Sequence, residues 1–167
     1  MRALAVCLVL ISQSLLACAS QASSKDQFAS VSCAFDDGKE IKIQYNSSPP
    51  KHGTEFREGQ RWQPGGSLMI LFTQTVLTVG NSVIPEGAYS LYVIPEKQKW
   101  TLIVNKSVTP NSKYDPAQDL VRVPMPTGEI GQALKEPKLT FAHIAPKQCN
   151  LRLYYENTGA WAEFREK

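Results

Sequence analysis

Apolar residues fall on every second position through most of this chain, and that period narrows what it can become more than any other feature. Successive side chains of an extended backbone point to opposite faces, so a two-residue repeat gathers a strand's apolar side chains on one surface. Val31, Cys33 and Phe35 follow the repeat, as do Ile41, Ile43 and Tyr45, with Asp36-Asp37-Gly38 between them as a hairpin turn. A strand begins at Leu68, Ile70 and Phe72 and continues or restarts at Val76 to Val79, before Gly80-Asn81 turns the chain. In IPEGAYSLYVIP, residues 84 to 95, Pro85 fixes φ and Gly87 accepts positive φ, as a tight turn requires. Tyr89, Leu91 and Val93 then share one face, and Ser90, Tyr92 and Ile94 the other. After a turn over Glu96 to Lys99, Trp100, Leu102 and Val104 alternate with Thr101 and Ile103. Both faces of this hairpin are largely apolar, which places it centrally in a sheet.

Further strands read at Leu120 to Met125, Leu139 to Ile144, Cys149 to Tyr155 and Trp161 to Phe164, with Asn157-Thr158-Gly159 turning the last pair. No stretch keeps a helical period over three turns. The expected fold is all-β: a single-domain antiparallel β-sandwich or flattened barrel of about 7–9 strands.

The N-terminus is of another kind. MRALAVCLVLISQSLLACAS carries one charge, at Arg2, then an apolar run from Ala3 to Leu16 too short to span a bilayer. This is the pattern of an export signal. Leu15-Leu16-Ala17-Cys18 resembles the bacterial lipobox, in which cleavage before the cysteine is coupled to lipidation of its thiol and amine. The alternative is ordinary cleavage after Ala22, with Ser20-Gln21-Ala22 as the small-x-small site and a freely secreted product. The domain reading is therefore a lipoprotein-type signal at 1–17, a polar tether at 18–28 and a β domain at 29–167. The expected location is outside the cytoplasm, anchored by lipid and facing the periplasm or cell surface.

Of four cysteines, Cys7 leaves with the signal and Cys18 is the lipid acceptor, which leaves Cys33 and Cys149. Two remaining cysteines in an exported protein predict one disulfide. Neither has a second cysteine or a histidine at metal-ligand spacing. The formal net charge of +3 implies neither a nucleic-acid partner nor a polyanion.

Several segments together carry a resemblance: VSCAFDDGKEIKIQY from Val31, Gly87-Ala88-Tyr89-Ser90-Leu91-Tyr92 followed by Ile94-Pro95, and WTLIVN from Trp100. YDPAQDLVRVPM from Tyr114, LTF at Leu139 to Phe141 and LRLYYENTGAWAEF from Leu151 complete it. The chain resembles the bacterial domain of unknown function 2911 over nearly all of its length beyond the signal. That family shows a segment like PYG-x-x-WR-x-GAN before its second hairpin. Here the place reads Gly59-Gln60-Arg61-Trp62-Gln63-Pro64-Gly65-Gly66-Ser67, so Trp62 and a glycine remain while Gln63 and Ser67 replace an arginine and an asparagine. The resemblance implies a β-rich fold and an exported bacterial context, with no activity assigned.

Catalytic patterns are sparse. His52 opens His-Gly-Thr-Glu, which lacks the spacing that sets two imidazoles on one helix face, and His143 shares parity with the core residues Leu139 and Phe141. Asp115 and Asp119 do not form a calcium ladder, and Asp119 stands three residues before Arg122, as a loop-ordering ion pair would. There is no nucleophile elbow, phosphate loop or dinucleotide fingerprint. No cofactor or metal is expected. Aromatic residues at Trp62, Tyr92, Trp100, Tyr154 and Trp161 offer a platform if several share an exposed face; Trp100 is in phase with core residues, whereas Tyr92 and Tyr154 are out of phase with neighbouring leucines. The binding candidates are Trp62, Tyr92, Tyr114, Asp115, Asp119 and Arg122. The expected function is a non-enzymatic binding or envelope-structural module held to a membrane through its N-terminal lipid, with a small-molecule, glycan or protein ligand. The alternative is a metal-assisted or carboxylate-dependent hydrolase using Asp115, Asp119, Arg122 and a histidine.

Cys18→Ser is expected to release the protein from the membrane, since several acyl chains anchor firmly where one holds only marginally. Fatty-acid labelling of the wild type checks this, and its absence would leave simple secretion.

Overall fold

A computed structural model describes residues 27–49, 56–109 and 113–167. Cys18, the signal, nearly all of the tether and His52 lie outside the described residues. Nine strands follow in order: β1 (Phe28–Ala34), β2 (Glu40–Asn46), β3 (Met69–Thr73), β4 (Leu77–Val79), β5 (Ser82–Ile84), β6 (Gly87–Ile94), β7 (Lys99–Asn105), β8 (Asp119–Ala145) and β9 (Gln148–Glu166). Two short 3-10 turns, Pro64–Gly66 and Pro116–Gln118, are the helical pieces among the described residues. All pairings are antiparallel in the order β1-β2-β3-β6-β7-β8-β9-β4-β5, one open sheet folded over on itself. The all-β reading holds, and so does the central position of the β6–β7 hairpin.

The last two strands make the fold. Glu156 has φ of +49°, and the Glu166 amide donates to the Lys147 carbonyl at 2.9 Å. Nineteen residues of straight strand would separate those ends by roughly 60 Å; β9 therefore doubles back around Glu156, and its two arms lie side by side. The buried positions change parity at the same place, from Cys149, Leu151, Leu153 and Tyr155 to Ala160, Ala162, Phe164 and Glu166. The expected reversal is present, centred slightly before Asn157-Thr158-Gly159. β8 flanks both arms: Thr127 to Glu129 pair with Thr158 to Ala160, and Lys138 to Ala145 with Gln148 to Tyr154, with register shifts between the two stretches. Its opening residues, Asp119 to Pro126, pair instead with β7. One strand thus belongs to both layers.

Between the layers sit Ile41, Ile43, Leu71, Leu91 and Leu102 from one side, and Leu77, Ile84, Leu151 and Phe164 from the other, each 1% exposed or less. Burying a side chain of this size contributes about 1.5–3 kcal/mol. In β3 the inward set is Met69, Leu71 and Thr73, while Ile70 and Phe72 face outward. The run is apolar at both parities, so periodicity alone could not assign its faces.

Cys33 of β1 and Cys149 of β9 are joined as expected, with Cα atoms 6.2 Å apart and 116 residues of separation. Their strands are not neighbours in the sheet, as an antiparallel pair carrying the two cysteines would be. β1 pairs with β2 alone, and the bridge instead crosses the core between the layers, both sulfurs approaching from inward-facing positions. A second tie is the Asp36 amide donating to the Pro146 carbonyl at 3.0 Å.

Replacing Cys33 and Cys149 together with Ala is expected to cost about 2–4 kcal/mol, because the closed loop is long, with the β-rich spectrum retained. Denaturant midpoints of the variant and of the wild type under reductant check it, and should fall together.

Candidate functional site

Five of the six binding candidates meet on the outer face of the first layer, Asp115 through its backbone carbonyl, and they meet to seal it. Asn105, fully buried at the end of β7, donates to Asp119 Oδ1 at 2.8 Å and to the Asp115 carbonyl at 2.9 Å. The Tyr114 hydroxyl donates to Asp119 Oδ2 at 2.6 Å and accepts from an Arg122 guanidinium nitrogen at 2.7 Å. Arg122 Nε donates to the same carboxylate oxygen at 2.8 Å. Arg61 lies with its guanidinium carbon 3.9 Å from the Tyr114 ring centre and 5.3 Å from that of Tyr92, and the two tyrosines meet edge to face at 5.0 Å. Tyr92 is out of phase with the core, as its parity requires, yet this cover leaves it 5% exposed. It is no free surface residue.

Burial pushes the Asp119 carboxyl upward, but hydrogen bonds from Tyr114, Asn105 and Arg122 outweigh it and hold the group below its ordinary value. Burial and the bond to Asp119 raise the Tyr114 hydroxyl, and Asp119 and Tyr114 raise Arg122. The carboxylate accepts one bond at Oδ1 and two at Oδ2, all of which favour its ionised form. Asp115 acts locally instead, since its Oδ1 accepts from the Ala117 amide at 2.9 Å and caps the turn that delivers Asp119. The loop-ordering pair of Asp119 and Arg122 is confirmed in geometry, with Tyr114 and Asn105 added to it.

Trp62 is elsewhere. It bridges Val93 through both backbone groups and is 3% exposed, its ring packed with Phe56, Trp100 and Tyr155 at centroid distances of 5.0 to 6.2 Å. Its indole nitrogen is buried without a partner. Gly65, in the same segment, is obligatory, since a Cβ there would lie 2.1 Å from the Asn46 carbonyl oxygen. Ser67, where the family pattern has asparagine, accepts from Asn46 Nδ2 at 3.3 Å. His143 faces Asp36 at 3.3 Å, both exposed. Among the described residues no three His, Cys, Asp or Glu side chains gather as a metal set.

The open site lies on the second layer, along the outward side chains of β9 and, in the larger trough, also against the inward-facing Val79, Val123 and Ala162. Two troughs, of about 680 and 420 Å³, meet at Asn150, Trp161 and Glu163. The larger is closed on one flank by Val123, Pro124 and Pro126 of β8 and on the other by the β4–β5 turn at Gly80-Asn81. The smaller is lined by Ile130, Ile144, Arg152 and Tyr154. Doubling of β9 creates this surface, because it sets Asn150, Arg152 and Tyr154 of one arm beside Trp161, Glu163 and Arg165 of the other. Trp161 is 39% exposed. Glycines seat the rings: a Cβ on Gly128 would lie 3.6 Å from the indole, and one on Gly159 would lie 3.1 Å from the Tyr154 ring. Arg152 Nε donates to Asn150 Oδ1 at 3.3 Å, and Arg165 Nε pairs closely with Glu163 Oε1. Of these residues the sequence singled out Tyr154 and Trp161; the signal for the others was their shared parity, Asn150 and Arg152 with Tyr154, and Glu163 and Arg165 with Trp161.

Asp119→Asn is expected to cost about 1.5–3 kcal/mol at neutral pH, the range for hydrogen bonds to a charged group. A carboxyl held low in the folded state contributes stability above its unfolded value and loses it as pH falls through the lowered one. The gap between wild type and variant should therefore close below about pH 4, which denaturant titrations at pH 7 and pH 3 read directly.

Comparison with curated proteins and with solved structures finds no match for this chain. The sequence model of the family described as protein of unknown function (DUF2911) matches residues 26–164, and the chain belongs to that family.

Proposed function

We propose that the chain is an exported, lipid-anchored binding module without catalytic activity, which takes its ligand in the groove around Trp161. The observation that carries this reading is the contrast between its two polar-aromatic clusters. Around Asp119 the polar atoms are turned on one another. Around Trp161 the ring is open beside an amide, a carboxylate and two guanidinium groups, in a concavity within the usual size range of about 300–1,000 Å³ for small-ligand sites.

Support for export comes from the N-terminal sequence and from the cross-layer disulfide, a bond that persists in oxidising compartments. The hydrolytic alternative requires an acid and a base facing one bond. Asp119 is held ionised by three donors, Asp115 caps a turn, and His143 faces Asp36 on β8's far arm, so each is committed to its own partners.

The test uses the exported chain carrying Cys18→Ser, labelled with nitrogen-15 and titrated with a low-molecular-weight extract of the cell envelope. Trp161 gives the one exposed indole signal, since Trp62 and Trp100 are buried. Shifts centred on that signal and on the Asn150 and Arg152 amides are expected. Shifts centred on Tyr114 and Asp119, or none, would overturn the reading.

A further inference from the structure

Resting on the groove reading above, we infer that the occupant is a neutral, ribbon-like glycan: a β-1,4-linked chain of pyranose rings lying across the Trp161 face. Three properties of the groove lead there.

The first is charge. Arg152 and Arg165 face Glu129 and Glu163 along the two troughs, so the lining balances and offers no net attraction to a polyanion or polycation. The paired side chains are also pre-positioned, Arg152 by Asn150 and Arg165 by Glu163, which lowers the ordering cost when they meet a ligand.

The second is the state of the backbone beneath. A peptide that adds to a sheet needs a free edge with unpaired amides and carbonyls. Beside this groove β9 pairs with β8 at Thr158 to Ala160 and with β4 at Arg165 and Glu166, and its end is bonded back to Lys147, so the stretch between those pairings, 161–164, is too short an edge for strand addition. Recognition there falls to side chains, and a ligand must bring its own dense set of hydroxyl donors and acceptors. Amide, carboxylate and guanidinium groups on the two adjacent arms supply both kinds of partner.

The third is shape. The indole is seated over Gly128 and the phenol over Gly159, so both rings lie low along the sheet instead of standing from it. The axial C–H face of a pyranose stacks on such a ring, weakly positive hydrogens against the negative π-face. Two troughs meeting at Trp161 continue the path to either side, as a chain of several rings requires. A ribbon linked β-1,4 presents flat faces and alternating polar edges, which match a low aromatic floor with polar residues along it.

The experiment titrates the Cys18→Ser chain with cellohexaose and, separately, chitohexaose, following the Trp161 indole signal and the heat of binding. At least one sugar is expected to bind, and a preference for chitohexaose would assign the acetamido group to Asn150 and Arg152. Trp161→Ala should abolish binding, and Asn150→Ala should weaken it about tenfold, the worth of one good hydrogen bond. Both positions are on the surface, and an unchanged thermal midpoint verifies that the variants fold. Lys106→Ala, exposed at the opposite end of β7 from the Lys99–Pro126 pairing that borders the groove, should bind as wild type. Silence from both sugars, or binding that survives Trp161→Ala, overturns the glycan assignment. If the sugars are silent while the envelope extract still shifts Trp161, the assignment alone fails; if both are silent, the groove reading falls with it.

Discussion

A single backbone hydrogen bond, from the Glu166 amide to the Lys147 carbonyl, reports the constraint on which the rest of the domain depends. It requires the last strand to return beside its own start. Once that arm returns, β8 must divide, its first part continuing the layer begun by β1 and its second part edging the other layer. Two faces then oppose each other, and the apolar positions of both have somewhere to be buried. The reversal costs one residue, Glu156, its positive φ, a conformation uncommon outside glycine, asparagine and aspartate.

The same geometry separates two uses of aromatic and charged side chains. On the first layer a loop lies over β6 and β7, and its donors and acceptors must be satisfied because Asn105 and Tyr92 are buried beneath. Asp119 collects bonds from Tyr114, Asn105 and Arg122, and the network is complete in itself. On the second layer no loop among the described residues covers the β9 arms, and comparable residue types remain in contact with solvent. Chemistry of the side chains is similar in the two places; topology decides which is closed.

Much of this was legible from the residues. Period-two alternation gave the strands, and reading the N-terminal segment as a signal left the two cysteines that form the bridge. The Asp119–Arg122 spacing gave the ion pair. What could not be read was depth. Tyr92 is out of phase with the core, and parity can say only that it faces outward; that Arg61 and Tyr114 cover it depends on segments distant in sequence. Trp62 has no alternating neighbours, so nothing local marked it as a core residue against Phe56 and Tyr155. The groove was hidden for a related reason. Its residues belong to two short runs whose parities differ, and only the change of face at Glu156 brings them to one side.

The cross-layer bridge has a temporal consequence. Cys33 leaves the ribosome 116 residues ahead of Cys149 and has no partner until the closing hairpin exists. Any shorter chain carries Cys33 on an edge strand without its native partner, open to capture by a mixed disulfide. The sulfur–sulfur bond is therefore a record of completion, sealed only on chains that were finished and whose two layers had met.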